Sequence, residues 1–315
     1  MDPLSDVLRA VKLNGAYFYK VEASRPWSLL SAPARELMPP ILPYAEHLIP
    51  YHILLSGSCW AGLHGEQQVH MQPGDVVVFP QGPAHLMSGA EGWRDEQHDP
   101  KAPGRFPNTV YLGPDDTRDT NLVCGFLGCD TRPFNPLLAS LPSTIHLSGI
   151  AGGWLAQFPQ QVVAESRQGR LGGDTMLTRM AELMFIEVVR RYLEKAPDQQ
   201  SGWLAGLMDP LVGRALTALH ERPAHPWTLA DLAREIATSR TVLADRFTRL
   251  VGVSPMLYLT RWRLQLASEQ LSGGSAKVAA VAGMVGYDSE AAFSRAFKRE
   301  TGLSPASWRR TRRTH

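Results

Sequence analysis

Two histidines and two cysteines in the first half of the chain are the residues whose types could bind a metal ion: His52, Cys59, His85 and Cys124. They occur on four short apolar segments. Imidazole nitrogen and thiolate sulfur in a tetrahedral set are ligands that zinc prefers. If the segments are strands of one barrel, the side chains predict one zinc, or another transition metal ion, in its interior. The alternative is that they are core residues, since buried cysteine often only fills space.

The three cysteines also raise the question of redox chemistry. An odd number cannot all pair internally, so free or metal-bound thiols are expected rather than a disulfide framework. Cys124 and Cys129 would sense oxidants by forming a reversible disulfide if one of them were an exposed thiolate. The alternative is that Cys129 has no redox role, because cytosolic thiols usually stay reduced.

The segment that carries most of these residues has the pattern of β structure. From residue 51 to residue 87, short runs rich in β-branched residues alternate with glycine and proline, which predicts an antiparallel barrel or sandwich. Gly74, Pro80, Gly82 and His85 follow the pattern G-x5-P-x-G-x2-H. This pattern resembles the second motif of the cupin barrel, in which the histidine binds metal. The first cupin motif is not intact, because His47 and His52 keep only part of its spacing and no glutamate follows at the right place.

The C-terminal third contains one sequence element twice. LADRFTRLVGVSP (243–255) and FSRAFKRETGLSP (293–305) align without a gap. Before each copy, an apolar pattern predicts a short helix, over 228–237 and 278–287. Ser239 and Ser289 are predicted N-caps of the second helix in each pair, and glycines at 252 and 302 end it. Each pair is therefore a helix-turn-helix, with 258–271 as a connecting helix.

The outer faces of the two second helices carry the residues that are expected to bind DNA. Their inner faces are predicted from the stripes Val242, Leu243, Phe247 and Leu250 in the first copy, and Phe293 and Phe297 in the second. Residues near the start of a recognition helix reach base edges, and later basic residues meet phosphate. We therefore assign Arg240, Thr241, Glu290 and Ser294 to base edges. Arg246, Arg295 and Lys298 are assigned to phosphate, and Arg249 is a further residue expected to bind DNA. Asp245 departs from this pattern, which implies either weaker DNA binding by the first unit or an internal pair between Asp245 and an arginine.

Together, these motifs resemble the AraC/XylS family of bacterial transcription regulators over roughly residues 206–315. The glycine-, histidine- and cysteine-bearing segments resemble the cupin-type sensor domain of one branch of that family over about residues 1–150. The N-terminal and C-terminal regions also differ in net charge. Up to residue 204 there are 16 Lys+Arg and 21 Asp+Glu, a net −5, and beyond it 16 and 9, a net +7. The resemblance implies double-stranded promoter DNA as the partner, an effector that the sequence does not identify, and RNA polymerase as a further candidate.

Between the two regions, residues 172–197 predict one long helix with more apolar residues than a single stripe needs. Such a helix mediates dimerisation in the resembled family, which implies a homodimer; a core helix is the alternative. The expected fold is thus multidomain: a cupin-like antiparallel β barrel (1–160), a helical dimerisation and linker region (161–204), and an all-α double helix-turn-helix domain (205–315).

The sequence predicts a cytoplasmic transcription regulator rather than a membrane protein, because no apolar run is long enough to span a bilayer and the acidic start does not fit a secretory signal. Two other functions stay open. One is a metal-dependent cupin enzyme of the oxygenase or isomerase type fused to a DNA-binding domain, against which the broken first motif argues. The other is a barrel that serves only as a dimerisation scaffold.

Overall fold

The computed structural model describes residues 2–10, 13–63, 65–91, 109–114, 117–131, 133–149, 155, 157–168, 170–195 and 202–313. The chain divides into two compact units that are not continuous in sequence. The sheet unit contains Leu13–Asp130 and Leu141–Ala196. The helical unit contains Met1–Lys12, Thr131–Ser140 and Pro197–His315.

The sheet unit is built from ten strands among the described residues, in two sheets. The strands are β1 (Leu13–Ala23), β2 (Ser28–Ser31), β3 (His47–Ser56), β4 (Cys59–Leu63), β5 (Val69–Met71), β6 (Val76–Val78), β7 (His85–Ser88), β8 (Thr109–Leu112), β9 (Thr120–Cys129) and β10 (Ile145–Leu147). One sheet has the order β10-β6-β3-β9-β1-β8 and the other the order β2-β7-β4-β5. The predicted antiparallel pairing holds except at one edge, where β8 runs parallel to β1.

Helices complete both units. The sheet unit contains α2 (Ala34–Ile41), α4 (Phe158–Gln168) and α5 (Gly173–Lys195); the helical unit contains α1 (Pro3–Ala10), α3 (Pro136–Ser140), α6 (Trp203–Met208), α7 (Pro210–Glu221), α8 (Leu229–Glu235), α9 (Arg240–Val251), α10 (Pro255–Gly273), α11 (Val278–Met284), α12 (Glu290–Thr301) and α13 (Pro305–Arg313). The long helix α5 agrees with the prediction for 172–197. No helix of the described ranges is long and apolar enough to cross a membrane.

Two segments distant in sequence join the helical unit. The side chain of Gln265, on α10, is buried and holds both of them. Its Nε2 donates to the carbonyl oxygen of Ala10 at 2.8 Å, and its Oε1 accepts from the backbone N–H of Phe134 at 3.0 Å. A buried side-chain amide must find such partners, because an unpaired one costs free energy. The unit is thus assembled from parts that lie up to 255 residues apart.

Both predicted helix-turn-helix pairs are present, with their predicted caps. Ser239 Oγ accepts from the N–H of Val242 and Ser289 Oγ from the N–H of Ala292, each at 3.2 Å. Gly252 and Gly302 end α9 and α12 in the left-handed conformation. The first helices of the pairs are shorter than predicted, because α8 ends at Glu235 and α11 at Met284.

Val242 was wrongly predicted to be in the core. Leu243 and Phe247 are fully buried, as are Phe293 and Phe297 in the second copy, but the side chain of Val242 is 48% exposed. Successive helical residues are rotated by about 100°, so a residue next to a buried stripe can face outward. Val242 therefore lies on the same outer surface as the polar residues assigned to DNA.

Candidate nucleic-acid interface and barrel site

The recognition surface consists of the outer faces of α9 and α12, each fixed by the burial of the opposite face. Every residue predicted to contact DNA lies on one of these two helices; all are exposed except Ser294, which is half-buried: Arg240, Thr241, Arg246, Arg249, Glu290, Ser294, Arg295 and Lys298. Both helices begin at a serine N-cap, and backbone N–H groups of a first helical turn have no partner within the helix. Such an end suits contact with phosphate or a base edge.

Arg246 has a second partner that the sequence did not suggest. Its Nε and Nη2 atoms lie 2.8 and 2.6 Å from Oδ2 of Asp209. The other carboxylate oxygen of Asp209 caps α7 by accepting from the N–H groups of Leu211 and Val212. Arg246 therefore ties α9 to the start of α7 and pairs with Asp209 rather than with its neighbour Asp245. The Asp209-Pro210 pair, an N-cap residue before a proline, is the sequence signal that could have shown this cap.

In the sheet unit, the structure brings His52 and His85 together. His52 comes from β3 of the six-stranded sheet and His85 from β7 of the four-stranded sheet. Their Nε2 atoms are 2.8 Å apart, and the two residues are 1% and 0% exposed. Phe79 stacks on His85 with ring centroids 4.1 Å apart and meets His52 edge-on. The pair thus joins the two sheets inside an apolar environment.

The hydrogen bonds assign the protons of this pair. His85 Nδ1 lies 3.0 Å from the carbonyl oxygen of Pro83, so Nδ1–H donates and Nε2 keeps its lone pair. His52 Nε2–H then donates to His85, which leaves the lone pair of His52 Nδ1 buried without a hydrogen-bond partner among the described residues. Burial lowers the pKa of His85 to about 4, and burial together with the neighbouring His85 holds the pKa of His52 well below its ordinary value. Both rings are neutral at pH 7.

The two thiols predicted to complete a metal site are nearby in the fold. Cys124 lies directly opposite His52 in the pairing of β3 with β9. Cys59, on β4, belongs to the same apolar cluster as Cys124. Burial raises the pKa of Cys59 to about 12 and that of Cys124 well above its ordinary value. Within the described ranges, no three His, Cys, Asp or Glu side chains are grouped closely enough to hold a metal ion.

The condition for a disulfide sensor is not met. Cys124 and Cys129 are each 1% exposed, and burial raises the pKa of both thiols. Both lie on β9, and residues five apart on a strand face opposite sides of the sheet. A bond between them would therefore require β9 to break.

A separate cavity of about 350 Å³ opens beside α2. It is lined by the start of α2, by Glu46 and the first two residues of β3, and by the loop 81–84. His47 Nε2 lies 2.7 Å from the carbonyl oxygen of Pro80 in its wall, and burial lowers the pKa of this histidine. A cavity of this size can hold a small organic molecule.

Comparisons with known proteins match the N-terminal and C-terminal parts of the chain to two different families. A family described as Cupin matches residues 2–194, and one described as Helix-turn-helix domain matches residues 232–311. The chain is 33% identical over 318 residues to a putative AraC-like transcription regulator of Streptomyces antibioticus, covering 98% of this chain and 99% of that protein. It is 30% identical over 316 residues to the transcriptional regulator AlkR of Acinetobacter baylyi, with coverage of 98% and 99%. Among solved structures, the DNA-binding domain of AdpA in complex with a target DNA is 30% identical over 34% of this chain and 95% of that one, with a TM-score of 0.32.

Proposed function

Because the chain belongs to the AraC family of transcription regulators, with an N-terminal cupin domain and a C-terminal helix-turn-helix domain, we propose that α9 and α12 bind successive major grooves of promoter DNA and that a signal received in the cupin domain controls this binding. The relatives that span the whole chain are regulators and not enzymes, which sets aside the cupin-enzyme alternative. The main support for the proposal is the pair of capped helices, α9 and α12, whose outer faces are exposed, polar and basic.

Within this proposal the two helices make different contacts. The face of α12 carries Arg295 and Lys298 for phosphate and begins with Glu290, which suits a cytosine amino group. The face of α9 begins with Arg240, which suits guanine, and adds the exposed methyl groups of Val242, which suit the methyl group of thymine.

The first experiment selects duplexes from a random pool with the full-length protein and measures their affinity at several salt concentrations. Sequence-specific binding is expected, with an affinity that falls steeply as salt rises. Arg295→Ala should weaken binding to all duplexes. It should also reduce the slope of log affinity against log salt concentration by about one. Arg240→Ala should instead reduce the preference of the protein for one particular base pair at a single position of the duplex. Arg179→Ala, an exposed arginine on α5 of the sheet unit, is the charge-matched control. Binding that ignores sequence would contradict the proposal.

A thymine contact of Val242 is tested by replacing thymines of the selected duplex with uracil, which removes only the methyl group. One such replacement should weaken wild-type binding about 4-fold, the equivalent of one buried methyl group. The same replacement should have no effect on Val242→Ala. An equal loss in both proteins would assign the methyl contact to another residue.

For the signal, we propose a transition metal ion, with zinc the expected one, bound at the His52–His85 pair. Two neutral imidazoles side by side and the unpartnered Nδ1 of His52 support the proposal. Cys59 and Cys124 are the candidate thiolate ligands, and the four residues come from strands of both sheets. A bound ion would supply coordinate bonds between the sheets. An organic effector in the cavity beside α2 is the alternative.

Elemental analysis of protein purified without a metal-affinity tag, under reducing conditions, tests the metal. About one equivalent is expected in the wild type and much less in His52→Ala, His85→Ala, Cys59→Ser and Cys124→Ser. His70→Ala, an exposed histidine of the same unit, should keep its metal. Because protons and the metal ion compete for the same imidazole nitrogens and thiolate sulfurs, metal binding should weaken as pH falls. A metal-free wild type that also fails to bind added zinc would remove this part of the proposal.

A further inference from the structure

One arginine of the connecting helix holds three backbone carbonyl groups from both halves of the helical unit. Arg263 lies on α10. Its Nε donates to the carbonyl oxygen of Pro223 at 2.6 Å and its Nη2 to that of His225 at 2.7 Å. Its Nη1 donates to the carbonyl oxygen of Gly286 at 3.2 Å. We call this arrangement the carbonyl clamp. Pro223 and His225 precede α8 of the first helix-turn-helix, and Gly286 lies in the turn of the second.

The loop on the first side of the clamp is itself a fixed part of the first helix-turn-helix. Trp227 is buried, and its Nε1 donates to the carbonyl oxygen of Arg222 at 3.1 Å. The guanidinium of Arg222 lies over the ring of Trp227, 4.6 Å from its centre, and also pairs with Glu235 at the end of α8. A change in the position of the loop would therefore be transmitted to α8.

On the second side of the clamp, the backbone at Gly286 packs so closely against the loop before α8 that a side chain would not fit. Both helix-turn-helix turns contain one residue of positive φ, Ala237 at 55° in the first and Gly286 at 83° in the second. The first turn accepts alanine there, so the backbone conformation alone does not explain the glycine. A Cβ on Gly286 would lie 2.5 Å from the carbonyl oxygen of Ala224, which belongs to the loop between the other two clamp carbonyls. The second turn is thus in direct contact with the loop before α8.

We propose that Arg263 and Gly286 are positioning residues that fix the relative placement of α9 and α12, and thereby the spacing of the two DNA subsites that one chain accepts. The inference rests on the proposed function, since it concerns how the two helices act together on one duplex. Only the planar, five-donor guanidinium can reach three carbonyl groups that diverge in this way. A lysine ammonium group would keep the positive charge but could not direct N–H donors at all three carbonyl groups.

The test uses the full-length protein and the duplex selected above, with one or two base pairs inserted or deleted between its subsites. Each inserted base pair rotates one subsite by about 34–36° relative to the other. We expect the wild type to lose at least about 10-fold in affinity for a changed spacing, which corresponds to one unmade subsite contact of about 1.4 kcal/mol or more. In Arg263→Ala this penalty should fall to about 3-fold or less.

Controls separate positioning from charge and from stability. Arg263→Lys should behave like Arg263→Ala in its spacing preference, whereas a phosphate contact would be preserved by lysine. Arg234→Ala removes an exposed arginine that pairs within α8, with Asp231, and should leave the spacing penalty unchanged. A general loss of stability would lower binding to every duplex by the same factor and leave the ratio between spacings as it was. Should Arg263→Ala fail to fold, Gly286→Ala tests the same contact and should shift the preferred spacing.

The outcomes distinguish the two proposals. If the wild type binds without sequence preference, the proposed function fails. If the wild type binds specifically and the spacing penalty is the same in Arg263→Ala, Arg263→Lys and Gly286→Ala, the function stands and the positioning role is wrong.

Discussion

At the scale of the residue, the His52–His85 pair is the feature with the clearest chemical consequence. Each of these two buried, neutral imidazole rings has the other ring or a carbonyl group as a hydrogen-bond partner. Burial costs a charged group far more than a neutral one. The pair is therefore sensitive to acid and to metal ions, because protons and metal ions both bind the lone pairs of its ring nitrogens.

In protein stripped of metal with a chelator, acid should therefore lower the stability of the fold through this pair. An unfolded histidine takes up its proton near its ordinary pKa of about 6.5, while folded His85 does so only near pH 4. Between these values the unfolded state binds more protons, so stability is complete above about pH 6.5 and is lost as pH falls, by up to about 1.4 kcal/mol per pH unit. Urea unfolding followed by circular dichroism at pH 7.5, 6 and 5 measures this slope.

The comparison that isolates the pair is His85→Asn against His70→Ala. The first substitution should flatten the dependence of the unfolding midpoint on pH, and the second should leave it as in the wild type. Equal slopes in all three proteins would mean that His85 is not held neutral in the folded state.

At the scale of the element, the helices of the recognition units are defined by their ends. Gly302 follows α12 with φ 75°, and no atom of the described residues lies within 4 Å of a Cβ placed there, so the cost of a side chain is one of backbone conformation alone. Gly283 lies inside α11, also with open space around a Cβ, where alanine is the better helix former.

The same substitution should therefore have opposite effects at these two glycines. Gly302→Ala is expected to lower the free energy of unfolding by about 1 kcal/mol, because an L-residue is strained in the left-handed region. Gly283→Ala should raise it by roughly 0.5–1 kcal/mol. Urea midpoints of the two variants and the wild type give the sign directly. Two shifts of the same sign would contradict the assigned helix ends.

At the scale of the whole molecule, α5 presents apolar surface to solvent. Its inner face is buried, with Val188 and Val189 fully so, while Met176 and Leu183 are each 53% exposed. These two residues are seven apart and so lie on one side of the helix. Exposed apolar side chains in such an arrangement commonly mark an interface.

The predicted homodimer is tested at this surface. We expect sedimentation equilibrium at micromolar concentration to give a dimer for the wild type and a shift towards monomer for Leu183→Glu. Arg190→Glu, which also introduces an acidic residue on an exposed part of α5, should have a smaller effect. A monomeric wild type would refute dimerisation and leave α5 as a core helix of the sheet unit.

The sequence by itself determined the elements whose signals are local. Caps such as Ser239 and Ser289 act within three residues, apolar stripes repeat within one or two turns, and glycine ends a helix where it stands. These signals were enough to predict the double helix-turn-helix, the long helix and the outer faces that carry Arg240 and Arg295. The alternation of β residues likewise indicated the sheet region, although not the parallel pairing of its edge strand β8.

Only the tertiary structure decided which side chains meet across the fold. It paired His52 with His85, 33 residues away, and Arg246 with Asp209, 37 residues away. It also joined Arg263 to carbonyl groups 23 to 40 residues distant. Such contacts depend on the path of the chain through its loops, and no periodicity or cap encodes that path. The residues that could be named from the sequence were therefore those whose face was set locally, while their partners were set by the packing of the whole unit.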